Sequence, residues 1–358
     1  MFTHRQAILT AALIPLLASS GQLAGQAVAT KSISFSADKT SKIEGVGPVR
    51  LGYPTCQTDG TILLTTMLDP AHSPNTTLVA VTTAGVTRRY NLDEVKGLKG
   101  AGILSVTSNA SGTTLLVGAM PDRSAPQSSQ YLGHNEFLFR YSLGGNLSAV
   151  IPLDSSHNYL KIASLQNGSL AALSIDPSSG ATSLSFLDAS GQITSTYDIS
   201  GKLLSADEVT DILQEHPLPG LSDLPFAEQT ITASSRVQMT NSGNDAVLLV
   251  PTNRPRLFIQ HSDGASTVIP LTIPGGLTAR TFYWERSLGL AILAFGSAPN
   301  SASILQLDAN TGRSSGEVTI QGKGLSSISA VCSQNGSYYG LSIDKNGAAL
   351  LQGLIAQN

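Results

Sequence analysis

A glycine that leads into a short apolar strand recurs six times along this 358-residue chain, and this repeat constrains the fold more than any other feature. The six are Gly60, Gly112, Gly168, Gly243, Gly289 and Gly336. Four of the five intervals lie between 46 and 56 residues, and the fifth is 75 residues. Repeats of about 40 to 50 residues with four short strands each are typical of β-propeller blades. The sequence therefore predicts an all-β propeller.

The number of blades follows from how the chain ends. The last repeat offers only three strands before Asn358, whereas the segment KSISFSA (31–37) alternates apolar and polar residues as a strand does. Pairing that N-terminal strand onto the last blade would close a ring and protect an open edge. We therefore expect a six-bladed propeller closed by an N-terminal strand that completes the last blade. Seven blades is the alternative, with a degenerate blade hidden within residues 200–230.

The long interval contains an irregular segment at about 200–230. Ser205 followed by Glu208 resembles a capping box, and Val209 and Ile212 follow at helical spacing before Pro217 stops the pattern. An inserted helix and loop accounts for the extra length. Such an insert is either a lid, a partner surface or a loop without a specific role.

The first 29 residues have the pattern of a signal peptide. An apolar run at 7–18 follows Arg5, and Ala27-Val28-Ala29 has the small-x-small form of a cleavage site. The run is too short for a membrane anchor, although an uncleaved, membrane-tethered stem is the alternative. We expect residues 30–358 to form a single propeller domain, with no membrane span, exported to a periplasm or outside the cell.

Charge and motifs exclude several classes of function. The chain has 21 basic and 24 acidic residues, and removal of residues 1–29 takes away only Arg5. Without a basic stripe to neutralise phosphates, nucleic acid is not an expected partner. The sequence has no zinc-like His or Cys spacing, no nucleophile elbow and no phosphate-binding loop. No cofactor is therefore expected, although a divalent cation stays open.

Two cysteines, Cys56 and Cys332, each precede their repeat's turn glycine by four residues. In a closed ring the first and last blades are neighbours, and an oxidising compartment favours a disulfide between them. Two buried free thiols are the alternative, because equivalent points on adjacent blades can be too far apart for a bridge.

The third and fourth strands of several repeats carry a family resemblance. FLFRYSLGGNL (137–147), LSFLDASGQI (184–193) and LQLDANTGR (305–313) each join two strands through an Asp- or Gly-containing turn. They resemble the secreted bacterial β-propellers with NHL, YVTN and lactonase-type repeats. The resemblance covers nearly all of residues 31–358 and implies a radial ring around a central channel, with function housed at the mouth of the channel.

The loops expected at the channel mouth supply the candidate ligand-binding residues. In a propeller, the loops from second to third strands and from one blade to the next lie on one face, and Arg and Tyr are frequent at binding hot spots. Glu285 is included because it lies on a first strand, beside the only tryptophan, where a side chain can face the channel. The candidates are Arg123, Tyr131, His134, Asn135, His157, Tyr159, Arg254 and Glu285.

Four aspartates end or closely follow second strands at matched positions. They are Asp69, Asp122, Asp176 and Asp344. If these carboxylates converge, together with Glu44 or Glu285, they can bind a divalent cation or act as general acids. The alternative is that each aspartate caps its own turn by a local hydrogen bond.

Three functions remain open at this level. The first is an exported, non-catalytic propeller that binds a protein or glycan ligand through its channel-mouth loops. The second is a lactonase-like hydrolase or lyase that uses channel carboxylates with a divalent cation. The third is a structural subunit of an envelope assembly.

Overall fold

The fold is known from a computed structural model. It describes residues 34–42, 55–56, 61–66, 77–82, 85–92, 95–215, 225–250, 252, 254–272, 277–285, 289–296, 301–308, 311–321, 328–334, 337–343 and 349–357. The expected signal peptide at 1–29 lies outside these residues. Within the described part of the chain, no helix is long and apolar enough to cross a membrane.

The described chain begins with strand β1 (Ser34–Lys42) and continues into four separate four-stranded sheets, which we number as blades. Blade 1 contains β2 (Thr55–Cys56), β3 (Ile62–Thr66), β4 (Thr77–Thr82) and β5 (Gly85–Asn91). Blade 2 contains β6 (Leu98–Asn109), β7 (Gly112–Pro121), β8 (Glu136–Ser142) and β9 (Leu147–Pro152). Blade 3 contains β10 (Asn158–Ser164), β11 (Leu170–Ile175), β12 (Thr182–Leu187) and β13 (Ile193–Asp198). Blade 4 contains β14 (Gln238–Ser242), β15 (Asp245–Val250), β16 (Arg256–Gln260) and β17 (Ser266–Pro270).

The remaining strands form one eight-stranded sheet. Its first half contains β18 (Leu277–Glu285), β19 (Gly289–Gly296), β20 (Ser301–Leu307) and β21 (Ser314–Gln321). Its second half contains β22 (Ile328–Gln334), β23 (Ser337–Ile343) and β24 (Ala349–Gln357). The strand order is β18-β19-β20-β21-β1-β24-β23-β22, so β1 lies at the centre of the sheet.

The expectation of six blades, with seven as the alternative, is wrong. The chain has four separate blades and the eight-stranded sheet. The physical reason is the position of β1, which pairs with strands on both of its edges. It is antiparallel to β24 from Ser34–Gln357 to Lys42–Leu350, and it meets β21 in parallel at Phe35 and Ile320. One strand therefore fuses two groups of strands that the repeat pattern treats as separate.

The first strands of successive groups of strands are neighbours, which is the radial arrangement of a propeller. Strand β10 lies beside β6 on one side and β14 on the other, and β18 lies beside β14 and β22. Two hydrogen bonds join β6 to β10: the Ile162 N–H donates to Ser105 Oγ (3.2 Å), and the Ser164 N–H donates to Thr107 Oγ1 (2.8 Å). These bonds also show that the two first strands run in the same direction.

The core lies between the faces of adjacent blades. One apolar cluster joins blades 1 and 2, a second joins blades 2 and 3, and a third joins blade 3, blade 4 and two helices. Strand β11 is buried at every position because both of its faces meet a neighbouring blade, whereas β13, the outermost strand of blade 3, is mostly exposed. Continuous apolar runs in second strands and mixed runs in fourth strands follow from this geometry.

Two helices connect β13 to β14: α1 (Ala206–Glu215) and α2 (Phe226–Ser234). Helix α1 begins in a capping box, because the Ser205 N–H donates to Glu208 Oε2 (2.9 Å) and the Glu208 N–H donates to Ser205 Oγ (3.3 Å). Val209 and Ile212 turn the apolar side of α1 into the core between blades 3 and 4. The helix is thereby fixed against the propeller.

The two cysteines lie on first strands, Cys56 on β2 and Cys332 on β22. Their side chains lie outside the described residues. The disulfide stays a prediction.

Candidate functional site

One face of the propeller carries the loops that follow second and fourth strands. Because each blade is a simple antiparallel meander, both kinds of loop emerge at the end where the first strands begin. On this loop face lie residues 122–135 after β7, 153–157 after β9 and 176–181 after β11. Arg254 and Pro255, before β16, lie on the same face.

The candidates Arg123, His134 and Asn135 lie on the 122–135 loop, where Arg123 and Asn135 are exposed. His134 is partly buried, and its Nδ1–H donates to the carbonyl of Leu153 (2.6 Å). Tyr131 is also on this loop but is only 6% exposed, and it belongs to the core of blades 1 and 2. The loop therefore presents polar side chains to solvent, whereas its aromatic side chain, Tyr131, packs into the core.

The other predicted aromatic, Tyr159, is 1% exposed and packs between blades 2 and 3. His157 lies beside it, with 6.4 Å between ring centroids, and shares a hydrogen bond with Ser156 Oγ (2.8 Å). Burial, and then the negative charges of Asp154 and Glu136, raise the pKa of Tyr159 to about 12. This tyrosine stays neutral at physiological pH and serves as a core residue.

Sequence reasoning missed Glu136, which is the most perturbed carboxyl near the loop face. It lies at the start of β8, and its Oε2 accepts a hydrogen bond from the Tyr159 N–H (2.7 Å), so it joins blade 2 to blade 3. Burial raises the pKa of Glu136 to about 7, although the hydrogen bond from Tyr159 acts in the opposite direction. The carboxyl can therefore hold or release a proton near neutral pH.

The predicted metal-binding aspartates that are described each serve their own turn. Asp122 accepts hydrogen bonds from the Ser124 N–H (3.1 Å) and hydroxyl (2.7 Å), and Asp176 accepts the same pair from Ser178 (2.7 and 2.6 Å). The Ser178 bonds lower the pKa of Asp176 to about 2. No cluster of three metal-ligating side chains occurs among the described residues.

The remaining metal and ligand candidates fall outside the described part of the chain, in whole or at the side chain. Asp69, Asp344 and Glu44 lie outside the described residues. Glu285 ends β18, but its side chain is likewise outside the described part.

An open groove of ≈ 970 Å³ lies between helix α1 and blade 4. Its walls come from the first turns of α1, from the segment before β16 and from the end of β17. It is lined by Ser205, Asp207, Glu208, Asp211, Arg254, Pro255, Arg256, Pro270, Leu271 and Thr272. Arg254 is thus the one predicted ligand residue that lines this groove.

An ion pair between Arg256 and Glu208 fixes one wall of this groove. Arg256 donates both terminal nitrogens to the Glu208 carboxylate and also donates to the carbonyl of Leu203 (2.6 Å). The two charged side chains are only 15% and 19% exposed. Burial opposes ionisation of Glu208, but the hydrogen bonds from Arg256 and Ser205 outweigh it and lower its pKa below the ordinary value.

Three further charged residues, Asp207, Asp211 and Arg254, also line the groove. Asp207 and Asp211 are four residues apart, so they lie on one side of α1. Asp207 and Arg254 are exposed, and Asp211 is partly buried. In the sequence, only the spacing of the two aspartates after a capping box indicates a charged surface on α1. That spacing does not show which part of the propeller the helix contacts.

No family model matches the chain, and no curated protein sequence matches it. Among solved structures, it is similar to virginiamycin B lyase from Staphylococcus aureus, with 12% identity, a TM-score of 0.41 and coverage of 88% of this chain and 99% of that one. The PQQ-bound aldose sugar dehydrogenase from Streptomyces coelicolor has 12% identity and a TM-score of 0.41, with 89% and 99% covered. The Pan2 WD40 domain from Neurospora crassa has 8% identity and a TM-score of 0.41, with 89% and 96% covered. At these values the similarities carry no argument about activity, and the propeller assignment rests on the strand arrangement.

Proposed function

We propose that this chain is an exported, non-catalytic β-propeller that binds a protein ligand in the groove between α1 and blade 4. The observation that carries the proposal is the groove itself, which is open to solvent, has one wall fixed by the Arg256–Glu208 pair and presents further charged groups at its rim. A wall that is held rigidly before binding reduces the ordering cost of association.

The composition of the groove favours a protein segment with basic side chains. Once Glu208 is paired with Arg256, the exposed charged side chains that line the groove are those of Asp207 and Arg254. The carboxylate of Asp207 attracts lysine or arginine, and Arg254 can donate to backbone carbonyls of the same segment. A glycan is less suited, because none of the ten lining residues is aromatic and stacking on a sugar ring is therefore not available.

The test is a peptide array in which lysine and arginine content is varied, with a glycan array in parallel. The best peptide is then titrated by fluorescence anisotropy against the wild type and the Asp207→Asn variant. We expect up to about fivefold weaker binding by the variant, since an exposed charge pair contributes up to about 1 kcal/mol. Added salt should weaken binding to the wild type as well.

Asp263→Asn is the matched control, because Asp263 is an exposed aspartate on the turn between β16 and β17, at the opposite end of the same blade. It should bind the peptide as the wild type does. Equal loss in the control, or blank peptide arrays, would refute a protein ligand. Binding on the glycan array alone would show that the ligand of the groove is a glycan and not a protein.

A hydrolase or lyase is a second candidate, and the observation that favours it is Glu136. A buried carboxyl with a pKa of about 7 is suited to general acid or base chemistry. A screen of lactones and esters with the wild type and with Glu136→Gln tests this function. Turnover that the variant loses supports it, and no turnover by the wild type rejects it.

A further inference from the structure

A lysine occupies the first strand of blade 3, close to the central axis. Lys161 is partly buried on β10 and pairs across the sheet with Leu173. Residues paired in this way share a face of the sheet, and Leu173 packs in the apolar cluster that joins blade 3 to blade 4. Lys161 is therefore on the side of blade 3 that meets blade 4.

Arg236 approaches the same place from blade 4. It lies between α2 and β14, and the next residue, Val237, belongs to the same apolar cluster as Leu173. Just beyond the ends of the two neighbouring first strands, β10 and β14, the Gln166 N–H donates to the carbonyl of Gly243 (2.9 Å). Because the strands run side by side in the same direction, counting back from this bond places Lys161 level with Gln238, two residues from Arg236.

The two cations have no described counter-charge. Among the described residues, neither Lys161 nor Arg236 forms an ion pair. Burial lowers the pKa of Lys161, and the positive charge of Arg236 lowers it further. Withdrawing an amine from water beside a second cation is costly unless an anion compensates it.

A hydroxyl nearby also lacks a partner. Ser234, at the end of α2 and two residues before Arg236, is 0% exposed. Its Oγ has no hydrogen-bond partner among the described residues. Buried hydroxyls are nearly always hydrogen-bonded in folded proteins, so an exception indicates a missing acceptor or donor.

We propose that Lys161 and Arg236 form an oxyanion-binding site at the seam between blades 3 and 4, on the loop-face side of the channel. The ligand is a carboxylate or phosphate group, whose oxygens accept hydrogen bonds from an ammonium and, in bidentate geometry, from a guanidinium. The site is distinct from the groove at α1 and does not depend on the proposed protein ligand.

The test measures binding of two probes, inorganic phosphate and glutarate, by calorimetry and by thermal unfolding at ionic strength matched with chloride. At about ten times its dissociation constant, a bound anion should raise the Tm of the wild type by about 2–4 °C. Phosphate also stabilises proteins without binding to a site. The shift must therefore disappear in Lys161→Met and in Arg236→Gln, with at least about tenfold weaker binding by calorimetry.

Lys96→Met is the matched control, because Lys96 is an exposed lysine between blades 1 and 2. It should keep the full shift, as should Arg254→Ala in the groove. If Lys161→Met does not fold, Arg236→Gln and the charge-conserving Lys161→Arg decide the result. A shift that is absent from the wild type, or equal in the wild type and Arg236→Gln, would overturn the site. A shift with either probe that the wild type shows and the Lys161 and Arg236 variants lose supports the site, and the stronger probe identifies the carboxylate or the phosphate as the source.

Discussion

Replacing Glu136 with glutamine should change how the stability of the propeller depends on pH. The ordinary pKa of a glutamate is 4.5, and burial raises that of Glu136 to about 7. Below the first value the carboxyl is protonated in both the folded and the unfolded chain. Between the two values only the unfolded chain ionises, so the free energy of unfolding falls as the pH rises.

The size of the effect follows from this difference. One pKa unit corresponds to about 1.4 kcal/mol, so the wild type should lose about 3 kcal/mol between pH 4.5 and pH 7, with little further loss above that range. Glu136→Gln removes the ionisable group but keeps an oxygen that can accept the Tyr159 N–H. We therefore expect the variant to be about as stable as the wild type at pH 4.5 and about 3 kcal/mol more stable at pH 8.

Urea unfolding followed by circular dichroism, at several pH values from 4.5 to 8, measures this difference. The described aspartates with lowered pKa values, such as Asp122 and Asp176, change charge below this range and do not contribute to it. Glu228→Gln, on the exposed side of α2, is the control and should follow the wild type at every pH. A constant difference between Glu136→Gln and the wild type across the range would refute the reasoning.

Three further variants test the packing of the blades by urea unfolding. Gly112→Ala should destabilise the protein by about 3 kcal/mol or more, because an added Cβ would lie 2.0 Å from a backbone oxygen of β8. The control is Gly133→Ala, since Gly133 also has a positive φ but has open space around it. Equal losses of stability in the two variants would contradict the clash. Thr107→Val should lower the free energy of unfolding by about 1–3 kcal/mol, because it leaves the Ser164 N–H of β10 without its acceptor. Thr87→Val, at an exposed position of the outer strand β5, should lower it by less. A larger loss in Thr87→Val than in Thr107→Val would contradict the inter-blade hydrogen bond. Glu208→Ala should lower the free energy of unfolding by about 3–5 kcal/mol, because it removes the counter-charge of the largely buried Arg256 guanidinium and also removes the cap of helix α1. A loss under about 1 kcal/mol would contradict this role of the ion pair.

Local features of the sequence predicted local structure well. Gly168 and Gly243, assigned to turns before second strands, have φ values of 85° and 63°, which glycine adopts without strain. The spacing of Ser205 and Glu208 indicated a capping box, and both reciprocal hydrogen bonds are present. Each of these features involves residues close together in the chain, where the choice of residue leaves few alternatives.

The blade count could not be predicted in the same way. The alternating pattern at 31–37 indicates a strand, and this strand does pair with the end of the chain. The pattern does not show that its other edge reaches β21 at Ile320. Whether two strand edges come within hydrogen-bonding distance depends on the packing of whole sheets, which a local pattern does not record.

The residues of the candidate site were likewise only partly predictable from local sequence. A tyrosine in a loop segment, such as Tyr131, indicates a binding surface or a core residue equally well, and here the core prevails. The groove at Asp207 depends on where α1 packs, which spacing alone does not reveal. Lys161 is an exception, because a single charge within the otherwise uncharged strand segment NYLKIAS is visible in the sequence itself.

The central position of β1 in the eight-stranded sheet has a consequence for how the protein reaches its native state. Strand β24 is synthesised after all of the blades that separate it from β1, and β1 cannot find its antiparallel partner before then. Contacts between residues so distant in sequence form slowly, because all of the intervening blades must be looped to make them. Until that moment the edges of β21 and β24 are unpaired and open to other chains. Pairing of β1 with β21 and β24 is therefore the step at which a newly made molecule either completes the eight-stranded sheet or aggregates.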